Sequence, residues 1–414
     1  MNEDVYNFQP IDWTTDESMI KVIGIGGGGC NAVTYMYNKQ IKGCTFIVCN
    51  TDSQDLKESN VPLKLQLGEG LGAGTNPTKG RNCALESSAL IEKMVLEGNT
   101  KMLFITAGMG GGTGTGAAPV IAKMAHDRGI LTVGVVTLPF KNERNGSYAK
   151  AIDGVRELEK NVDSLLVIDN EKLSEIYSDR LIQDAFPMSD EVLATAVRGI
   201  TEIISRPGYI NVDFEDVKTM MTNSGMALMG CGIGSGENRL EDAVNGALQS
   251  PLLYNFDLTT SKHALVNITV GYNEQGVTMG ELTKINNLIS EKVGEAKKFK
   301  QGIVYEKDPE FEDKVMITVI ATGFKMSLLD DVLGTEAGNI IVINNDYVYT
   351  SENQEGEIPL PEARVEKIGY NSSWNSRRFR FDGDSKPVLC VTPEDDTAYL
   401  ENTPAIKRIN KKKE

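Results

Sequence analysis

The chain has 414 residues, a formal net charge of −16 and 40% hydrophobic content. That length implies two or three domains with sizeable cores, and so acidic a surface argues against nucleic acid or anionic lipid as the main partner. Two histidines and six cysteines with no CxxC argue against a zinc centre.

The cysteines (Cys30, Cys44, Cys49, Cys83, Cys231, Cys390) read as reduced cytosolic thiols, and the odd spacing of Cys44 and Cys49 on one strand points them to opposite faces. The polar, acidic residues 1–18 read as a flexible segment and not as a signal peptide. The longest apolar run, about "ILTVGVVTL", is far short of the ~18 residues of a membrane helix. The reading is a soluble, cytoplasmic protein with no transmembrane anchor.

From Met19 to about Ile168 apolar strands alternate with helices. "MIKVIGI" reads as a buried strand, "NAVTYMYNKQ" as a helix ending near Gly43, and "CTFIVC" and "KMLFITAG" as further strands. The helix "AAPVIAKMAHDRG" follows, with Gly129 suited to its C-cap, then the strands "ILTVGVVTLP" and "SLLVID". Continuous apolar strands separated by helices predict a parallel sheet covered on both faces, with ligands beyond the carboxyl ends of its strands. A long helix then starts at the N-cap Ser189, with Asp190 and Glu191 in its first turn. Val192, Leu193, Ala196, Val197, Ile200, Ile203 and Ile204 keep its period, and Pro207 and Gly208 stop it. The next region offers a helix near 238–249, the strand "HALVNITVGY", a helix over 279–293 and the strand "KVMITVIATG". After Lys325 the composition turns to Asp, Glu, Asn, Ser and Pro and reads as linker, with one local strand in "NIIVINNDYVYT". The basic end after "AYLENTPAIKR" is either a solvated terminus or a docking motif.

Two glycine runs sit at strand ends. Gly24, Gly26 and Gly29 form a G-x-G-x-x-G, weak evidence alone for a dinucleotide; Asp52 is only a loose match for the acidic residue that reading needs. The second run, "AGMGGGTGTGAAP", decides the matter. Two loops converging from different strands suit a larger polyphosphate, held by backbone N–H groups, helix dipoles and the hydroxyls of Thr113 and Thr115. No GK[ST] follows, so there is no P-loop lysine, and Mg2+ is expected to share the phosphate charge.

"GGGTGTG" at 110–116 resembles the nucleotide signature of the tubulin/FtsZ family of GTPases. The stretches "VIGIGGGGCNAV", "NTD", "GLGAGTNP", "RPGYINVDFEDVKT", "SPLL" and "LVNITVGY" extend the resemblance, in order, over about three quarters of the chain. It implies an α/β architecture: a Rossmann-like parallel-sheet GTP-binding domain (19–188), a central helix (189–205) and a smaller α/β or α+β domain (206–325). A largely disordered linker (326–397) and a partner-binding tail (398–414) complete it.

The resemblance also implies the site. Gly26, Gly27, Gly28 and Asn31 match the first phosphate-contacting loop, and Asn50 and Asp52 the next nucleotide-facing loop. Ala73, Gly74 and Thr75, with Asn76, match the loop that senses the γ-phosphate. Gly110, Gly111, Gly112, Thr113, Gly114 and Thr115 match the main phosphate loop, and Glu143 a ribose contact. Asn170 and Asp190 match the side chains that read guanine, and Phe186 the aromatic packed on the base. The two oxygens of Asp190 suit the two N–H donors of guanine's N1/N2 edge.

The chain departs from the family at one position: Ser147 stands where an arginine is usual, and Arg144 lies earlier. Either Arg144 reaches the same phosphate or the contact is lost, at about 1.5–3 kcal/mol of nucleotide binding.

His126 and His263 lie far from these loops in sequence. In the family the catalytic carboxylates come from the next subunit, which implies that Asp213 and Asp216, with Asn211, act in trans in a head-to-tail homopolymer. GTP/GDP and Mg2+ are then the cofactors. Division proteins and a membrane tether are the tail's partners, and the mid-cell division ring is the location. The competing readings are a GTP-binding, filament-forming structural paralogue with weak or no hydrolysis, and an NAD-dependent oxidoreductase.

Overall fold

The computed structural model describes residues 18–140, 147–171, 182–205, 208–210, 212–250, 258–271, 277–293, 298–306, 311, 313–324, 340–343 and 377–380. The tail 398–414, Cys390 and most of the linker and N-terminal segment lie outside them.

The first half is built of β1 (Ile20–Ile25), α1 (Gly26–Asn38), β2 (Thr45–Asn50), α2 (Ser53–Glu58), β3 (Leu63–Gln66), α3 (Pro77–Glu86), α4 (Ser88–Ile91), β4 (Met102–Gly108), α5 (Thr113–His126), β5 (Leu131–Leu138), α6 (Ser147–Glu159) and β6 (Ser164–Asp169). Its strands are all parallel in the order β3-β2-β1-β4-β5-β6. That is the doubly wound arrangement expected of alternating strands and helices. Alternate residues of one strand feed different cores: Ile23 and Ile25 join one cluster, Val22 the other. Both faces are covered, which is why these strands read as unbroken apolar runs.

The helix α7 (Ile182–Ser205) follows. It begins at Ile182 and not at Ser189, so Ser189 is an interior helical residue and not the N-cap. Proline lacks an N–H and disfavours helix before it, yet the backbone is helical through Pro187. The apolar face of α7 (Leu193, Ala196, Val197, Ile200, Ile203) is buried as its period predicts.

The second half contains β7 (Gly208–Ile210), α8 (Phe214–Met221), β8 (Gly225–Gly234), α9 (Arg239–Leu248), β9 (His263–Gly271), α10 (Met279–Val293), β10 (Lys298–Glu306) and β11 (Val315–Thr322). Its strands are mixed: β11 runs antiparallel to β8 and β9, and β10 parallel to β9. The two halves share one 11-stranded sheet through a short β6–β8 pairing, Ser164 with Gly225 and Leu165 with Met226. The buried Asp163 secures that junction. Its carboxylate accepts from the N–H of Thr132 at 2.9 Å and of Asn223 at 3.2 Å, and its carbonyl from Ser224 N–H at 2.8 Å. Within the linker, β12 (Ile340–Ile343) pairs antiparallel with β13 (Arg377–Arg380), so the local strand expected in "NIIVINN" has a partner.

Among the described residues, no helix is long and apolar enough to cross a membrane. Cys30, Cys44, Cys49, Cys83 and Cys231 are all free thiols.

Candidate functional site

Adjacent strands β1 and β4 send their following helices to different cores. Cys30, Val33 and Met36 of α1 pack in one, Ala117, Ala118 and Ile121 of α5 in the other. The strand order reverses at this point, and the carboxyl ends of the two strands open into a crevice there. Both glycine runs are less loop-like than expected. Gly26–Gly29 form the first turn of α1, and Thr113, Gly114 and Thr115 that of α5.

Glycine is required because backbone meets backbone. Gly26 has φ +72°, and a Cβ there would stand 2.9 Å from Gly114 N; one on Gly114 would stand 2.6 Å from Gly108 O. The two helix starts therefore lie in close contact. Neither helix has a side-chain N-cap. A Cβ on Gly111 or Gly74 would meet nothing within 4 Å. These are the positions where the wall is open.

Flanking groups hold the cradle. The buried Thr51 and Thr113 hydroxyls share a 2.7 Å hydrogen bond, and Gly110 N–H donates to Thr115 Oγ1 at 2.8 Å. Asp52 caps α2, accepting from Gln54 N–H at 2.9 Å, and the buried Asn50 donates to the Asp55 carboxylate. Asn50 and Asp52 thus shape their loop. Asp55, missed in the sequence reading, faces the first glycine turn: a Cβ on Gly27 would lie 3.6 Å from its Oδ2. Asn76 caps α3 by accepting from Thr78 N–H at 3.0 Å. This fixes Ala73–Thr75 against the second run, where a Cβ on Gly112 would lie 2.8 Å from that of Ala73. Thr75 sits at φ +59°, and its carbonyl accepts from Lys150 Nζ at 2.8 Å. Asn31 is exposed on α1.

Ser147 opens α6, and its carbonyl faces Gly110. Glu143 and Arg144 lie outside the described residues. Just past the carboxyl end of β6, Asn170 accepts from Ser189 Oγ at 3.0 Å. Beside it on α7, burial pushes the Asp190 carboxyl up to about 6. Phe186 lies on the helical backbone of α7. Next to Asp190, Tyr35 donates to Glu191 Oε2 at 2.5 Å, tying α1 to α7.

The acidic loop lies elsewhere. Asp213 is the N-cap of α8, its Oδ1 accepting from Asp216 N–H at 2.7 Å. The Asp216 carboxylate is paired with Lys300 Nζ on β10 at 2.7 Å. Asn211 is outside the described residues. Strand β10 is seven places from β1 in the sheet, or roughly 34 Å along it at ~4.8 Å per strand. The 24 residues of α7 span about 36 Å. The carboxylates and the glycine cradle of one chain are therefore too far apart to act on one bound molecule.

Comparisons with known proteins identify the family. A model of the Tubulin/FtsZ family GTPase domain matches residues 19–178, and one of the FtsZ family C-terminal domain matches 225–325. The cell division protein FtsZ of Pseudomonas aeruginosa is 41% identical over 409 residues, 97% of this chain and 99% of that one. Its counterpart in Porphyromonas gingivalis is 44% identical over 362 residues, 85% of this chain and 77% of that one. Among solved structures, the empty FtsZ dimer of M. jannaschii superposes with a TM-score of 0.68 at 37% identity, covering 75% of this chain and 89% of that one. A strand-order switch lined by two glycine-rich helix starts, with sequence identity over nearly the full length, leads to one conclusion: the chain belongs to the tubulin/FtsZ family of GTPases, on its FtsZ branch.

Proposed function

We propose that this chain is a cell-division GTPase that assembles head to tail and hydrolyses GTP only between subunits. The observation that carries the reading is the distance between the glycine cradle and the acidic loop. The triphosphate lies against the N-termini of α1 and α5, where Gly26–Gly28 and Gly110–Gly114 supply N–H donors and Gly111 and Gly74 leave room for it. Guanine lies toward Asn170 and Asp190, with the ionised Asp190 accepting from its N1/N2 edge. Ser147 supplies no charge at the arginine register.

Mg2+ fits the donor set. It takes few protein ligands beside phosphate oxygens and water; Asp55 faces the first glycine turn, and no group of three or more His, Cys, Asp or Glu side chains gathers among the described residues. When bound, it offsets phosphate charge.

The water that attacks the γ-phosphate is oriented and deprotonated by carboxylates from the neighbour's lower end, Asp213 and Asp216. Such a contact joins two different surfaces and does not close on itself, so it generates open filaments. These are the filaments of a division ring at mid-cell, with the tail 398–414 engaging division proteins and a membrane tether. In Asp216→Ala, GTP binding is expected to persist while turnover falls by about 10²-fold or more. Unchanged turnover would overturn the trans-carboxylate reading.

A further inference from the structure

The acidic loop carries a feature that the reaction scheme above does not use. Asp213 and Asp216 stand at the N-cap and third position of α8, the spacing of a capping box. Asp213 makes its half of that exchange, accepting from Asp216 N–H. Asp216 turns its carboxylate to Lys300, 2.7 Å away on another element.

The sheet places Lys300 there. Strand β7, which leads into the loop, pairs antiparallel with β10, Ile210 opposite Ile303 and Gly208 opposite Val304. Continuing that register brings the start of β10 beside the start of α8. Gly302 makes the close approach possible, since a Cβ there would lie 3.3 Å from Val212 Cγ2 and 3.6 Å from Ile210 O. Lys298 and Lys300, two apart on one strand, fall on one face. Lys300 is solvent-exposed. Its ammonium is held above its ordinary range, chiefly by the hydrogen bond to Asp216, with the charges of Asp216 and Asp213 adding to it.

An exposed ion pair contributes little to the stability of a lone subunit. Its setting changes in a filament. The loop presents Asp213, Glu215 and Asp216 to a polyphosphate in a contact that sheds water. Desolvation and like charge both work against an ionised carboxylate, and an adjacent cation offsets both. Resting on the trans-hydrolysis reading above, we propose that Lys300 is a positioning residue for the reaction. It keeps Asp216 aimed, so that the Lys300–Asp216 pair, and not the carboxylate alone, is what one subunit presents to its neighbour's nucleotide.

The test compares Lys300→Ala, Lys300→Arg, Asp216→Ala and the Lys300→Ala/Asp216→Ala double variant in the full-length chain. Phosphate release is divided by the polymer mass recovered on sedimentation. Lys300→Ala should lower kcat per polymerised subunit by about ten-fold, part of the 10²–10⁴ typical of a positioned base. GTP affinity and KM should stay within about two-fold, because the cradle lies at the other end of the subunit. Lys300→Arg should restore most of the loss, and the double variant should be no slower than Asp216→Ala alone. Three results would overturn the proposal: unchanged kcat per polymerised subunit in Lys300→Ala, a loss confined to polymer mass, or additive losses in the double variant. If Asp216→Ala itself retains normal turnover, the trans reading falls and takes the proposal with it. If Asp216→Ala is inactive while Lys300→Ala is normal, only the proposal falls.

Discussion

In the parallel half, strands β1 and β4 end in glycine-rich turns, whose backbone N–H groups are the proposed ligand contacts. In the mixed half, α8 and β10 present the side chains of Asp213, Asp216 and Lys300. The first design is closed to added atoms: Gly26, Gly112 and Gly114 already touch neighbouring backbone or side chain. The second is adjustable, because an ion pair between two elements can be lost without unfolding either. A protein that must hold GTP while waiting for a partner gains from that split. In the scheme proposed above, the binding end is built of close backbone contacts within one subunit, and the reactive carboxylates serve the neighbour's nucleotide.

The largest effect that would break this contrast is at the glycine contact. Gly26→Ala places a Cβ 2.9 Å from Gly114 N at a residue with φ +72°. Strain and overpacking of about 1–3 kcal/mol each should spread the two helix starts and weaken GTP binding by about 10²-fold or more. Equilibrium binding of a fluorescent GTP analogue measures it, and wild-type affinity would show that the two helix starts need not touch.

A middle-sized effect concerns pH. Burial holds Asp190 at about 6, above its ordinary 3.8. Between those values the folded state binds more protons than the unfolded chain, so this group's contribution to stability falls as pH rises through that window. Nucleotide binding has the opposite sign in the proposed scheme, where guanine pairs with the ionised carboxylate. Affinity should therefore fall as pH drops below about 6, toward a limit of about ten-fold per pH unit. The phosphates titrate in the same range, so the profile of Asp190→Asn, measured by calorimetry, is subtracted as the baseline. Parallel profiles would remove Asp190 from guanine recognition.

The smallest effect sharpens the contrast most. A Cβ on Gly111 meets nothing within 4 Å, and its φ is not positive. Gly111→Ala should leave thermal stability within about 0.5 kcal/mol, as for an ordinary surface change. It should still weaken GTP binding several-fold, because the proposed phosphate position uses that free space. Unchanged affinity would place the phosphates elsewhere on the cradle.

How much of this was legible in the sequence follows from what determined each element. Strands β1, β2, β4, β5, β6, β9 and β11 are covered on both faces, so they show as apolar runs. Strand β8, "GMALMGCGIG", was missed because its glycines are set by a neighbour: a Cβ on Gly232 or Gly234 would strike the α9 carbonyls of Ala243 or Arg239. Strand β10 opens with "KFKQ", whose charges, Lys300 among them paired with Asp216, hide the strand. The early start of α7 was hidden behind Pro187. Both glycine runs were visible, but their helical first turns were not, since glycine is a poor helix former. Asp55 and Lys300 carried no local signal. Their places come from α2 folding back on the β2 end and from the β7–β10 register, both products of tertiary pairing.

The account depends on one chain being unable to bring its own carboxylates to its own nucleotide. Phosphate release per subunit, followed with light scattering across protein concentrations, tests that directly. The account predicts negligible release while the protein is monomeric, and a rise in specific activity that coincides with the onset of scattering. Full specific activity in a demonstrably monomeric sample would contradict it.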